Sequence, residues 1–265
     1  MRKIYPLQSI EAGWIRFSNN PGMYSSFTII SVLISLILTT VASGIVNIFS
    51  LDSFIQGVVV GIIVGVLGGI INIGYAHFAA KDELGDDVEF QDFFLGFSQN
   101  IKSLIWVLIA TVLVSQLSVL FIPQELESLN LEEQSQFQNL EELTLLAEEL
   151  GVVFWDNIGD FLIFFAIHIF LGIVLIFAPF AASLGKQNPI QALHFSIANA
   201  LPNFFNILFT YLILVLAIAI IAYLLTLLGA VGLIILVISC FIGFFVFIPV
   251  FNLIVYDMFS QLKDN

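Results

Sequence analysis

The chain has 265 residues, of which 60% are hydrophobic and only 10% charged, with 28 Phe and a formal net charge of -13. A soluble globule needs more polar surface than this, and a mean hydropathy of +1.07 places the chain in lipid. The acidic balance and the lack of a basic patch exclude nucleic acid as a partner.

A hydrocarbon core about 30 Å thick is crossed by roughly 20 apolar residues at about 1.5 Å per residue. In chain order, the runs at about 27–49, 54–78, 103–122, 160–183, 204–228 and 231–256 meet that length. They are too long, and too weakly alternating, for the strands of a membrane barrel. The predicted fold class is therefore all-α: a polytopic membrane helix bundle of six transmembrane helices, one integral membrane domain over residues 1–265. The residues before Phe27 are polar and the first run is long enough to stay in the bilayer, so no cleavable signal peptide is expected.

The second run carries Gly57, Gly61, Gly65 and Gly69 at four-residue spacing, a stripe that lets another helix approach closely, either within the chain or from a second copy. Asn72 follows in the same run and Gln116 lies late in the third. Between Gln124 and Asp160 stand ten of the twenty carboxylates and no basic residue. Leu140, Leu143, Ala147 and Leu150 at helical spacing predict an amphipathic helix in this acidic loop, about 124–157, as a solvated face. The fourth run holds His168 near its middle, and Pro179 and Pro249 mark helix bends late in the fourth and sixth. Asn252 completes the polar set. His168, Gln116, Asn72 and Asn252 are candidates for a polar pathway or for contacts between helices, because ionisable and polar groups in lipid are expensive.

A string recurs through the chain. Phe-Ser followed by an Asn and an apolar run begins at Phe17, Phe97 and Phe195, each preceded by a short amphipathic stretch. Each hairpin then closes on a related tail: HFAAKDE at 77–83, FAASLGK at 180–186 and MFSQLKD at 258–264. This predicts three repeats, about 11–83, 90–187 and 188–265, each an interfacial amphipathic helix plus a transmembrane hairpin, with the acidic segment inserted in the second. The basic residues Arg2, Lys3, Arg16, Lys81, Lys102, Lys186 and Lys263 all fall before the first run, in even-numbered loops or after the last. By the positive-inside rule both termini are cytoplasmic and the loop 124–157 lies on the outer face.

Catalytic signals are absent. The single Cys240 supports no disulfide or cysteine-metal framework, and no HExxH, GxSxG or GxxxxGK[ST] occurs. No catalytic, metal or cofactor residues are assigned. His77 and His194 approach the inner surface near Asp82 and Glu83 without a spacing that specifies a metal or an acid/base pair.

Asn20-Pro21, Asp92-Phe93-Phe94-Leu95-Gly96-Phe97, Phe177-Ala178-Pro179 and Ala192-Leu193-His194-Phe195-Ser196 together resemble a group of bacterial inner-membrane proteins, the YciC-like proteins and related proteobacterial membrane proteins. A similar six-helix module is fused to some glycerophosphodiester phosphodiesterases. The resemblance implies a bacterial cytoplasmic membrane address and a six-helix fold, and brings no catalytic residues with it. Two departures stand out: the acidic outer segment is longer, and Tyr256 and Asp257 are adjacent where relatives usually place one residue between them. The expected function is that of a non-catalytic accessory, scaffold or lipid-interacting protein, with membrane lipids and other inner-membrane proteins as partners. The alternative is a small-solute permease or lipid-translocating protein with a path between the repeats.

Overall fold

Long Leu/Ile/Val/Phe runs in lipid must satisfy their backbone internally, and helices do this within one segment. The computed structural model describes residues 3–49, 53–121, 148 and 150–263, and among them no strand occurs. The α-helices include α1 (Pro6–Asn19), α2 (Pro21–Ile48), α3 (Ser53–Glu83), α4 (Ile101–Ser115), α5 (Ile158–Leu175), α6 (Ala178–Ser183), α7 (Pro189–Ala200), α8 (Phe204–Thr226) and α9 (Gly229–Lys263), with 3-10 segments at Phe90–Phe97 and Gln116–Phe121. Among the described residues six stretches are long and apolar enough to cross a membrane: Pro21–Val46, Ile55–Glu83, Ile101–Phe121, Ile158–Ser183, Phe204–Thr226 and Gly243–Lys263. The protein is an all-α polytopic helix bundle.

The helices outrun the apolar runs at one end. The tails HFAAKDE and MFSQLKD continue α3 to Glu83 and α9 to Lys263, since neither contains a helix breaker. FAASLGK instead forms the short α6, set off from α5 by a turn at Ile176 and Phe177, with Pro179 in its first turn. Most of the acidic segment 124–157, with Leu140, Leu143 and Ala147, lies outside the described residues.

The chain divides into two compact units, Met1–Val112 with Ile173–Asn265, and Leu113–Gly172. In the first unit the buried core gathers where the flanking segments meet the ends of the long helices: Phe17, Tyr24, Phe27, Phe78, Phe93, Ala192, Leu253 and Met258 are among its members. Helix α1 packs on α9, the 3-10 segment Phe90–Phe97 packs on α3, and α7 packs on α6. Each flanking segment thus sits on a closing tail. Its partner is the tail of the hairpin before it, with α1 taking the last.

Small residues make each of these junctions close. A Cβ on Gly13 would stand 2.6 Å from Ile254 Cγ1 and 3.0 Å from the Ile254 nitrogen; one on Gly74 would collide with the Phe93 carbonyl oxygen; one on Gly96 would reach Ile70 O at 2.8 Å. In α7 the buried positions are Ala192, Ser196 and Ala200, a four-residue period that lays one small face on α6. The middle junction is the most aromatic. Phe93 stacks between Phe27, with centroids 4.2 Å apart, and Phe78, at 4.3 Å, and Tyr24 meets it edge-on at 5.6 Å. The sequence predicts an amphipathic helix here, and the segment is a 3-10 helix. Side chains three apart eclipse in that geometry, and a capping box between Glu89 and Asp92 starts it.

In the second unit the 3-10 segment Gln116–Phe121 follows α4, and Phe154 packs against Trp155 and Phe161 with centroids 5.7 and 5.1 Å apart.

Candidate functional site

The polar chemistry of the first unit concentrates at the end that carries Ile4 and Leu262. Arg16, in the last turn of α1, is 17% exposed and bonds two carboxylates. Its Nη1 lies 2.8 Å from Asp257 Oδ1 and its Nε donates to Glu83 Oε1 at 2.7 Å. The guanidinium carbon sits 5.4 Å from the centroid of the Tyr256 ring, whose hydroxyl donates to Glu83 Oε2 at 2.7 Å. Burial opposes the charge, but the Asp257 hydrogen bond and the fields of Glu83 and Asp257 outweigh it, so the pKa of Arg16 is raised. Gln261 extends the network by donating to Asp257 Oδ2 at 2.7 Å and Ser9 Oγ at 2.9 Å, while its carbonyl accepts from the Tyr5 N–H.

Comparable links tie the other junctions. Lys81 Nζ donates to both oxygens of the buried Asp92, at 3.0 and 2.9 Å, and Asp92 Oδ2 also accepts from the Glu89 N–H. Ser196 Oγ donates to Val174 O at 2.7 Å and accepts from the Phe177 N–H at 3.1 Å, bridging the break between α5 and α6. His77 Nε2 lies 2.7 Å from Ser183 Oγ, with both residues buried, and joins α3 to α6. Asn100 Nδ2 donates to Ala182 O and Gln187 O, and Ser103 Oγ donates to Gln187 O at 2.6 Å. Ile4 N–H donates to Asn203 Oδ1 at 3.0 Å.

Beside this network runs a groove of about 610 Å³ along α7, lined by Gln187, Ile190, Gln191, His194, Phe195 and Asn199 among others. The spacing puts these residues on one side of α7, opposite the small buried face. Asn188 caps the helix: its side chain accepts from the Gln191 N–H at 2.9 Å, and Pro189 fills the first turn. His194 and Gln191 are exposed, and Ile190 is 80% exposed.

The residues singled out from sequence lie as follows. Asn72 is exposed on α3, and Asn252 Nδ2 donates to Ile248 O of its own helix at 2.9 Å. In the second unit Gln116 is half-buried, and His168 is exposed, stacked on Phe164 at 5.7 Å, with its Nδ1 3.1 Å from the buried Ser118 Oγ. Ser118 was not named from the sequence. Of the glycines, Gly65 receives Val112 and Gly69 receives Leu108, both from α4, while a Cβ added to Gly57 would meet nothing within 4 Å and Gly61 is half-buried. Pro179 opens α6, whereas Pro249 stays inside a continuous α9. A proline at 249 removes the N–H that would bond the Phe245 carbonyl, and Ser25 Oγ of α2 donates to that oxygen at 3.4 Å.

Among the described residues no three His, Cys, Asp or Glu side chains gather as a metal site would require. Sequence reading passed over Arg16, Glu83, Asp92 and Ser196 as partners. Their only signal was position, since each lies on a flanking segment or a closing tail. Comparison with protein-family models, curated proteins and solved structures finds no match.

Proposed function

We propose that this membrane protein is a non-catalytic accessory or scaffold protein that works through its termini-bearing face on lipids and on other membrane proteins. In this reading it sits in a bacterial cytoplasmic membrane with both termini in the cytoplasm, as the placement of its basic residues and its family resemblance suggest. The three segment-on-tail junctions support a threefold repeat, since residues four before Phe78 and four before Met258, Gly74 and Ile254, both meet a flanking segment. The observation that carries the functional reading is the state of the polar groups. Arg16, Glu83, Asp257, Lys81, Asp92, His77 and Ser183 bond one another across helix junctions. Groups held this way fix architecture and present a firm surface, which suits binding better than chemistry.

Purification from native membranes in a mild detergent, with mass spectrometry of whatever accompanies the chain, tests the reading. The expected result is a membrane protein or lipid at reproducible stoichiometry. Isolation of the chain alone, together with solute flux in vesicles made from it, would overturn the reading in favour of a permease.

A further inference from the structure

The chain has few cations, and two of them are already engaged: Arg16 with Asp257 and Glu83, and Lys81 with Asp92. Lys102 and Lys186 are exposed and, among the described residues, make no ion pair. They are far apart in sequence but not in space, because Asn100 and Ser103 both donate to the Gln187 carbonyl. Lys186 reaches this corner through a left-handed backbone, φ 52°, in the turn that joins α6 to α7. In a chain of formal charge -13, two exposed lysines are therefore carried by segments that meet at Gln187, a residue that lines the groove.

The groove combines polar and apolar side chains. Gln191, His194 and Asn199 supply hydrogen-bonding groups, and the exposed Ile190 with the half-buried Phe195 supplies apolar walls. Its volume of about 610 Å³ suits a headgroup and glycerol backbone, within the range of roughly 300–1,000 Å³ common for small-ligand sites. In sequence, α7 ends at Ala200, just before α8 and its apolar run begin at Phe204.

We propose that the α7 groove, with Lys102 and Lys186, binds the phosphate headgroup of an anionic glycerophospholipid in the leaflet next to the chain termini. The lysines meet the phosphate, the α7 side chains meet the glycerol, and Ile190 and Phe195 meet the start of the acyl chains. Basic pockets between membrane helices bind anionic headgroups by this combination of charge and fit. The inference rests on the lipid-facing reading above and gives it a site.

Native mass spectrometry of the full chain, delipidated and then offered phosphatidylglycerol or phosphatidylcholine, provides the test. One phosphatidylglycerol should be retained at least tenfold better than phosphatidylcholine, and inorganic phosphate at millimolar concentration should not displace it. Replacing both lysines, Lys102→Gln with Lys186→Gln, should weaken retention by about fivefold per charge. Equal retention of the two lipids, an unchanged preference in the double variant, or displacement by inorganic phosphate would each overturn the proposal. A second measurement is independent of how the double variant folds. Ile190→Cys, at an exposed position, modified with a bulky anionic thiol reagent should lose phosphatidylglycerol, and full retention after modification would equally refute the groove. Loss of lipid preference with protein partners still co-purifying removes the groove and leaves the scaffold reading. Retained lipid with no protein partner does the reverse.

Discussion

Ser196 shows how much one hydroxyl holds. Where α5 breaks before α6, two backbone groups lose their helical partners, and Ser196 Oγ serves both, donating to Val174 O and accepting from Phe177 N–H. Ser196→Ala keeps the packing but leaves both buried groups unpaired, and should cost about 1–2 kcal/mol in thermal or denaturant unfolding in detergent. The glycines separate in the same way. Gly74→Ala drives a methyl into the Phe93 carbonyl and to 3.1 Å from the Phe27 ring, where backbone and a stacked aromatic cannot yield, so a loss of about 2–3 kcal/mol is expected. Gly57→Ala meets nothing within 4 Å and should be neutral or slightly stabilising. Equal effects of the two changes would show that the Gly74 contact is not tight. Arg16→Met would strip the charge from between Asp257, 10% exposed, and Glu83, 38% exposed, at a cost of about 3 kcal/mol, with Glu83 partly relieved by water. The pH sign follows from the raised pKa of Arg16: its contribution is complete at neutral pH and is lost only as pH rises through an already high folded value. Wild-type stability should therefore show no Arg16-linked decline between pH 7 and about 10. None of these roles was legible in the sequence, because Ser196, Gly74 and Arg16 act through partners far along the chain.

Elements were more legible than residues, for a physical reason. An apolar run long enough to cross lipid allows little besides a helix, so the six spans could be read from length, and α8 matches the expected 204–228 to within two residues at its end. The flanking segments were legible as amphipathic but not in geometry. Phe93 looked like one aromatic among several in FQDFFLGF, and its place between Phe27 and Phe78 in a 3-10 segment emerges only from the packing. Pro249 signalled a bend; the structure carries one helix through that position, with Ser25 of α2 bonding the Phe245 carbonyl. Helix α1 is the clearest element to test, since it rests on α9 through Gly13, whose added Cβ would meet both Ile254 and the Val250 carbonyl. Gly13→Val should push α1 off α9 while the spans stay intact. Hydrogen exchange should then quicken across residues 4–19 and stay slow in the core of α3. Uniform protection in the variant would mean that α1 is held by something other than this contact.

At the scale of the molecule, what the sequence displayed most openly was a polarity between two ends. The basic residues gather at one of them, and the structure places there the ion pairs of Arg16 and Lys81, the α7 groove, and the bonds of Tyr5 and Ser9 with Gln261 that fasten α1 to the end of α9. The loops that the positive-inside rule would sort are the ones whose polar junctions are buried, so one pattern can serve both. Helix α2 leaves that end at Pro21 and, over 28 residues, rises about 42 Å to Ile48. Phe49, 67% exposed, and Leu228, 59% exposed before the left-handed turn at Gly229, therefore belong to the far side of a membrane from Lys186 and Lys263. In intact cells, Phe49→Cys and Leu228→Cys should react with a membrane-impermeant maleimide. Lys186→Cys and Lys263→Cys, both exposed in the fold, should react only after the membrane is opened. The reverse order would turn the protein over in the bilayer and put the groove in the outer leaflet, leaving the fold untouched. Reaction of all four from one side would contradict the bundle itself, because helices of this length and hydropathy would then not be crossing the membrane at all.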